Sequence, residues 1–219
     1  MVNSNSRKLT LSAWLKIHSE PEYNSPLKFQ KFLFLYEAFS KVAGDKKTDF
    51  DHLRGYKNGP IFSNVFGDYT KERAEFERKA NACYELFGKK LNHERALQCS
   101  FIVATLSELE LSELTHAMNI WKSQADLITK GYLQVQLYEA DFNEDDCVMI
   151  KTLENIYPLE MIKSSEVINV GNYYFVISKA DFKRLTEEHI DILSAVSLTD
   201  ELHNPVFAEI DEKGGLLID

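Results

Sequence analysis

Residues 26–43, PLKFQKFLFLYEAFSKVA, constrain the fold of this chain more than any other stretch. Proline fits the first turn of a helix, where its missing N–H would have no partner, and no further Gly or Pro occurs before Gly44. These signals predict one helix of about 18 residues, roughly 27 Å long. Ser25, or failing that Asn24, would cap its N-terminus.

Large apolar side chains go most of the way round this predicted helix, which is typical of a helix enclosed by others. They are Leu27, Phe29, Phe32, Leu33, Phe34, Leu35, Tyr36, Phe39 and Val42. The sequence therefore predicts a central buried helix. We expect that only its charged groups need water, namely those of Lys28, Lys31, Glu37 and Lys41.

The formal net charge of −9 is distributed unevenly along the chain. Residues 1–100 hold 17 Lys+Arg and 12 Asp+Glu, a net of +5, whereas residues 101–219 hold 8 and 22, a net of −14. A surface of one sign raises the encounter rate with a partner of the opposite sign. The alternative is a solvated surface on which acidic residues have collected by chance.

Helical periodicity and capping residues predict further helices in both halves of the chain. They lie at 10–19, with Leu11, Trp14, Leu15 and Ile17 apolar; from Pro60, with Ile61, Val65 and Phe66; at 71–79; at 92–107; from a Ser112 cap to about 128; from an Asn143 cap to about 157; and at 180–196, with Phe182, Leu185, Ile190, Leu193 and Val196 inward.

Two hairpins are predicted near the C-terminal end, at 166–178 around Gly171-Asn172 and at 205–219 around a turn at 212–215. Since one hairpin alone is marginal in water, we expect both to join one small sheet. The fold class is α+β and mainly helical. We expect a helical domain at 1–131 and a smaller acidic α+β part at 132–219 packed on it.

The sequence has neither a membrane span nor the apolar core of a signal peptide at its N-terminal end, so we expect a cytoplasmic protein and no membrane partner. Three widely spaced cysteines, Cys83, Cys99 and Cys147, favour free buried thiols.

No pattern of a catalytic or metal site is present in the sequence. The six histidines lack metal-ligand spacing, and no nucleophile elbow, P-loop or GxGxxG occurs. Glu187-Glu188-His189 is suggestive, but neighbouring residues on a helix point in different directions. We therefore expect no cofactor and no metal.

Three segments stand out together: KFQKFLFLY at 28–36, GYKNGPIFSNVF at 55–66, and LSELTH at 111–116, with Trp121-Lys122 five residues on. In order and spacing they resemble the Panacea domain, the SocA-like family of phage-associated antitoxins, over roughly residues 10–130. The sequence departs from the family pattern in having Asn58 before Gly59, and Asn119-Ile120 where the family usually has an acid and a proline.

The resemblance implies an antitoxin of a toxin–antitoxin pair, which neutralises a cognate protein toxin from an adjacent gene by direct binding. It also implies a second partner, a protease to which the protein would deliver its toxin as an adaptor, and no enzymatic activity. The motif positions carried forward as partner-binding candidates are Lys28, Gln30, Lys31, Tyr56, Asn58, Gly59, Pro60, His116 and Trp121.

Each of these positions can also be explained by an ordinary structural role. Gln30 and Lys31 are equally consistent with ordinary surface, and Gly59-Pro60 with a simple helix start. His116 and Trp121, five apart on one predicted helix, would not share a face, and a buried, hydrogen-bonded His116 is the simpler expectation.

Two other functions compete with the antitoxin. One is a DNA-binding transcriptional regulator of a phage or toxin–antitoxin operon, using the net-positive N-terminal half. The other is an enzyme of unknown type, against which the absence of a recognisable nucleophile, base and orienting group counts.

Overall fold

The computed structural model describes residues 1–199 and 202–219 and confirms a mainly helical α+β fold. The helices are α1 (Ser6–His18), α2 (Glu20–Asn24), α3 (Pro26–Val42), α4 (Ser63–Lys71), α5 (Arg73–Phe87), α6 (His93–Thr105), α7 (Glu108–His116), α8 (Asn119–Lys122), α9 (Ala125–Thr129), α10 (Glu144–Ile156), α11 (Leu159–Ser164), α12 (Lys179–Phe182) and α13 (Glu187–Val196), with 3-10 turns at Gly88–Lys90 and Glu139–Asp141. The strands are β1 (Leu53–Tyr56), β2 (Gly59–Phe62), β3 (Val135–Gln136), β4 (Ser165–Val170), β5 (Tyr173–Ser178), β6 (Val206–Ile210) and β7 (Leu216–Ile218).

Helix α3 is the centre of the main core, as its sequence predicts. The Ser25 hydroxyl caps it by accepting from the Lys28 N–H, and Pro26 opens its first turn. Phe29, Phe32 and Leu33 are fully buried. The helix contacts α1, α2, α6, α7, α10 and β2, so it is enclosed on most sides.

The expectation that the charged groups of α3 need water is wrong for three of the four. Lys28, Lys31 and Glu37 are buried, and only Lys41 is partly exposed, beside Glu139. The helix is packed from many directions, so Lys31 and Glu37 find polar partners inside the protein, and the Lys28 ammonium packs against the Tyr174 ring.

Buried Glu37 lies in a charged network between α3 and α1. Its carboxylate accepts from the Lys8 ammonium at 2.6 Å and from Arg7 Nε at 2.8 Å. Asp49, in the loop after α3, places a carboxylate oxygen 3.3 Å from the Lys8 Nζ and donates its N–H to Glu37. The network therefore fixes α1 and this loop against the central helix.

The predicted helix start at Gly59-Pro60 is wrong, because these residues form β2 and the helix begins at Ser63. Strand β2 pairs antiparallel with β1, which puts Pro60 opposite Gly55. In the three-stranded sheet of order β2-β1-β3, β2 is an edge strand, where a residue without an N–H is tolerated. Strand β2 also packs against α3.

The single helix predicted from Ser112 to about residue 128 is also wrong: the chain forms α7, α8 and α9 instead. Ser107 begins α7 with a capping box, and Ser112 lies inside it with its hydroxyl bonded to the Glu108 carbonyl. The break before α8 has a tertiary cause. The Asp146 carboxylate accepts from the N–H groups of Asn119 and Ile120, at 2.6 and 3.0 Å.

Several C-terminal predictions are confirmed. Asn143 caps α10, which ends at Ile156, and both predicted hairpins join one sheet of order β4-β5-β6-β7. The join between the hairpins is the parallel pair β5–β6. The division at residue 131 stays a prediction; β3 pairs with β1 across it, and α10 packs on α3.

Helix 180–196 is split at Thr186, which starts α13 with its own capping box. Leu193 is buried as expected, whereas Phe182 and Ile190, predicted to be inward, are exposed. Ile17, one of the apolar residues of the predicted helix at 10–19, is exposed as well. No described helix combines the length and the apolar character that crossing a bilayer requires.

Candidate functional site

The three motif segments meet around the ammonium group of Lys31, at a point we call the Lys31 site: Lys31, Asn58, Gly59 and Thr115. The Lys31 Nζ donates to the Asn58 carbonyl at 2.5 Å and to the Thr115 Oγ1 at 2.9 Å. These partners are 27 and 84 residues away along the chain. A single side chain of α3 therefore joins the β1–β2 turn to helix α7.

Lys31 is fully buried, and no described carboxylate compensates its charge. Burial lowers the pKa of Lys31 to about 7, because a buried ammonium gives up the solvation that the charged form has in water. The Lys31 site therefore holds a cation that is close to losing its proton at neutral pH.

Gly59 allows this close approach. Its φ of +99° is in the left-handed region, which side chains other than glycine rarely adopt. A Cβ at this position would lie 2.1 Å from the Lys31 Nζ and 2.5 Å from the Thr115 Oγ1. Both the backbone angle and the space therefore require glycine here.

His116 and Trp121 stack on each other, against the expectation that residues five apart would not be neighbours. Their ring centroids are 3.9 Å apart at an interplanar angle of 27°. The break between α7 and α8 makes this possible by turning the chain back. The Trp121 Nε1 donates to the Tyr56 carbonyl at 3.1 Å, which ties α8 to the hairpin.

His116 is half-buried, and its Nε2 has no hydrogen-bond partner among the described residues. Burial, and next to it the nearby charge of Lys31, lower the pKa of His116 below its usual range. The imidazole is therefore biased to its neutral form. The expectation of a hydrogen-bonded His116 is not met at Nε2.

Gln30 supports the same hairpin from the next position on α3. Its Oε1 accepts from the Phe62 N–H at 2.9 Å, and its Nε2 is buried without a partner among the described residues. Gln30 and Lys31 are both buried, so the interpretation as ordinary surface is wrong.

Lys28 does not join the Lys31 site, although it is one turn away on α3. Its ammonium lies 4.1 Å from the ring centroid of Tyr174, on strand β5. Burial lowers the pKa of Lys28, while Glu22, Glu108 and Glu110 oppose that shift. Lys28 instead links the central helix to the C-terminal sheet.

The remaining candidate positions lie in the β1–β2 hairpin and its turn. Tyr56 is partly exposed, and its hydroxyl donates to the Gln134 Oε1 at 2.6 Å. The Asn58 side chain is exposed, whereas Pro60 is buried. Of the candidate positions, Tyr56, Asn58, His116 and Trp121 thus have surface that a partner can reach.

Thr115 is a site residue that the sequence reasoning did not select. It stands in the LSELTH segment directly before His116, and its hydroxyl also donates to the Leu111 carbonyl at 3.0 Å. A small hydroxyl on the buried side of a predicted helix was the available signal. Its partner on α3 was not readable from local sequence.

Comparison with known proteins adds no identification: no family model, no curated protein and no solved structure matches this chain. The Panacea resemblance therefore stays a prediction based on the three motif segments.

Other chemistry-bearing groups have structural partners. His189 is in the capping box of α13, and its Nε2 is 2.9 Å from the Gly214 carbonyl. Within residues 1–199 and 202–219, no three His, Cys, Asp or Glu side chains group in a way that would hold a metal ion. Cys99 is buried, while Cys83 and Cys147 are only half-buried.

Proposed function

We propose that this protein is an antitoxin that neutralises a cognate protein toxin by direct binding. One observation carries the proposal: the three segments on which the Panacea resemblance depends contact one another around Lys31. Segments that are far apart in sequence and together resemble one family support a common role when they build one site. In this chain they meet at the Lys31 site.

The charge distribution supports a basic partner. Residues 101–219 carry a net charge of −14, and toxins that act on RNA need basic surfaces to hold phosphates. An acidic surface speeds encounter with such a toxin and then covers the face that it uses. The proposal places the pair in the cytoplasm, where the three free cysteines stay reduced.

The test is a growth experiment. Each gene that flanks the one encoding this protein is expressed alone and together with it, and complexes are recovered from the co-expressing cells. We expect one neighbour to stop growth alone, and growth to return when a stable complex forms. If no neighbour is toxic and none co-purifies with the protein, the proposal is overturned.

A second measurement separates simple blocking from the adaptor role. In the rescued cells, a blocked toxin accumulates in the complex, whereas a toxin delivered to a protease falls in amount unless the protease is removed. For either role, the association rate with the purified toxin should fall steeply as salt rises from about 50 to 500 mM. An association rate independent of salt would contradict the electrostatic part.

The DNA-binding regulator has weaker support. It depends on the net charge of +5 in residues 1–100, but Lys8, Lys28, Lys31 and Arg95 are buried and offer no charge to phosphates. A regulator of this kind would lose DNA affinity steeply with salt. Binding of operon DNA with such a slope, in the absence of any toxic neighbour, would move this function to first place.

A further inference from the structure

The C-terminal sheet has one face that the helices cover only in part. On the β4–β5 side this face packs against the main core through Val176, which is buried. On the β6–β7 side the same face carries Phe207 and Leu217, which are 42% and 49% exposed. Between them and Met161 of α11 is a groove of about 470 Å³.

The groove opens towards the free edge of the sheet. Strand β7 is the last strand in the order β4-β5-β6-β7, so one of its edges has no neighbouring strand among residues 1–199 and 202–219. Asp219 exchanges both backbone hydrogen bonds with Phe207 of β6, at 2.9 and 3.1 Å. Because the pattern alternates in an antiparallel pair, Leu216 and Ile218 direct their N–H and C=O groups to the open edge.

The charged side chains that line this groove are carboxylates, which favour a cationic ligand group. Asp181, Glu209 and Asp219 line it, and none of the described residues that line it is basic. Asp181 is paired with Arg184 at 2.8 Å. Glu209 and Asp219 have no ion-pair partner among the described side chains, so their charges are available to an incoming group.

We propose that this edge docks an extended, basic segment of a protein partner, which pairs with β7 as an added strand. An apolar side chain of the segment packs on Phe207 and Leu217, and flanking lysine or arginine side chains meet Glu209 and Asp219. Strand addition of this kind takes its affinity from backbone hydrogen bonds and its specificity from alternate side chains.

Charge selects this occupant over a second copy of the chain. Two β7 strands paired about a two-fold axis would join two copies of this acidic face and add no basic group to either groove. A basic strand offers the same backbone pairing with attraction instead of repulsion. The inference deepens the proposed function, on which it rests for the partner being a toxin.

The test uses a blocked seven-residue peptide that alternates lysine and valine, with an alternating glutamate and valine peptide as its control. Binding is followed by fluorescence anisotropy and by backbone amide NMR shifts of the whole protein. We expect shifts centred on Leu216–Ile218 with the basic peptide and none with the acidic one. The variants L217K and E209K should each weaken binding at least about tenfold.

Two matched substitutions control for surface chemistry alone. V148K replaces an exposed apolar residue of α10, and E85K replaces an exposed acid of α5, both outside the groove. All four variants change exposed positions, so thermal unfolding should show them folded. Equal peptide binding by wild type and by L217K and E209K would overturn the inference, as would a salt-resistant dimer with amide shifts at β7.

The inference and the antitoxin function fail in different ways. If a neighbouring toxin exists, L217K and E209K should lose growth rescue while V148K and E85K keep it. Rescue by all four variants would overturn the groove and leave the antitoxin function standing. If no neighbour is toxic, the function fails, and the peptide measurement still decides the docking edge.

Discussion

Two lysines are fully buried in the core of this protein, and their surroundings differ in one respect. The ammonium of Lys8 is 2.6 Å from the Glu37 carboxylate and 3.3 Å from that of Asp49. The ammonium of Lys31 has a carbonyl and a hydroxyl as its partners, from Asn58 and Thr115. One buried charge is compensated and the other is solvated by dipoles alone.

Lys8 is thus part of a buried ion pair, whereas Lys31 connects three segments without a counter-charge. Burial lowers the pKa of both lysines, and at Lys8 the nearby charges of Glu37 and Asp49 oppose that shift. At Lys31 nothing opposes it, and the pKa falls to about 7. The three motif segments are the ones joined by the uncompensated lysine.

Breaking the compensated pair should have the largest effect. E37Q leaves Lys8 buried without its closest carboxylate and removes the partner of Arg7, so we expect a loss of about 3–5 kcal/mol in unfolding free energy. Urea unfolding measures it, with E85Q on exposed α5 as the control, expected within about 0.5 kcal/mol of wild type. A loss below about 1 kcal/mol for E37Q would show that Lys8 is compensated by other groups.

The next effect comes from the backbone beside Lys31. G59A should cost about 1–3 kcal/mol for its left-handed φ alone, and more for the clash with the Lys31 Nζ and Thr115 Oγ1. G44A is a matched control, because Gly44 has a φ of +73° with nothing within 4 Å of the added Cβ. Equal losses in the two variants would contradict the close contact at the Lys31 site.

The pH dependence of stability tests the lowered pKa of Lys31. Lys31 has a lower pKa in the folded protein than its ordinary value of 10.5, so between about pH 7 and 10.5 the unfolded chain binds more protons. The unfolding free energy contributed by Lys31 therefore rises with pH in that window. The penalty of its burial is complete below pH 7.

K31M removes this titration. Its unfolding free energy should lack the rise that wild type shows between pH 7 and 10.5. The difference in unfolding free energy between the two proteins should therefore favour K31M most near pH 6. K8M should instead be destabilised at every pH in the range, since Glu37 and Asp49 lose their partner. Parallel pH profiles for wild type and K31M would contradict the uncompensated state of Lys31.

The smallest effect concerns the hydroxyl of the Lys31 site. T115V keeps the shape of the side chain but removes the acceptor for Lys31, at a cost of about 1 kcal/mol, whereas T115S keeps the acceptor. In the K31M background the same T115V change should cost less, because the lysine no longer needs it. A double-mutant cycle measures this coupling, and a coupling of zero would contradict a direct contact.

Local signals in the sequence were sufficient for the elements that local chemistry decides. The central helix, the Ser25 and Asn143 caps and the hairpin at Gly171-Asn172 each depend on residues within a few positions of one another. Such elements are confirmed almost to the residue. The joining of the two C-terminal hairpins followed from the instability of an isolated hairpin.

Predictions failed where a distant partner decides the outcome. Pro60 is in a strand because it pairs with Gly55. Helix α7 ends at His116, and the N–H groups of Asn119 and Ile120 donate to the carboxylate of Asp146, 27 residues beyond Asn119. The burial of Lys31 likewise depends on a carbonyl and a hydroxyl from other segments. The motif order indicated that these segments belong together, but not which atoms join them.

The most direct measurement is the pKa of Lys31 itself, followed by the NMR shifts of its Cε and Nζ nuclei in protein labelled at lysine. The signal is assigned by its loss in K31M, and exposed Lys46 provides an internal reference. We expect a titration midpoint near 7 for Lys31. A midpoint near the ordinary 10.5 would show that a counter-charge or water reaches the ammonium, so that the Lys31 charge is compensated after all.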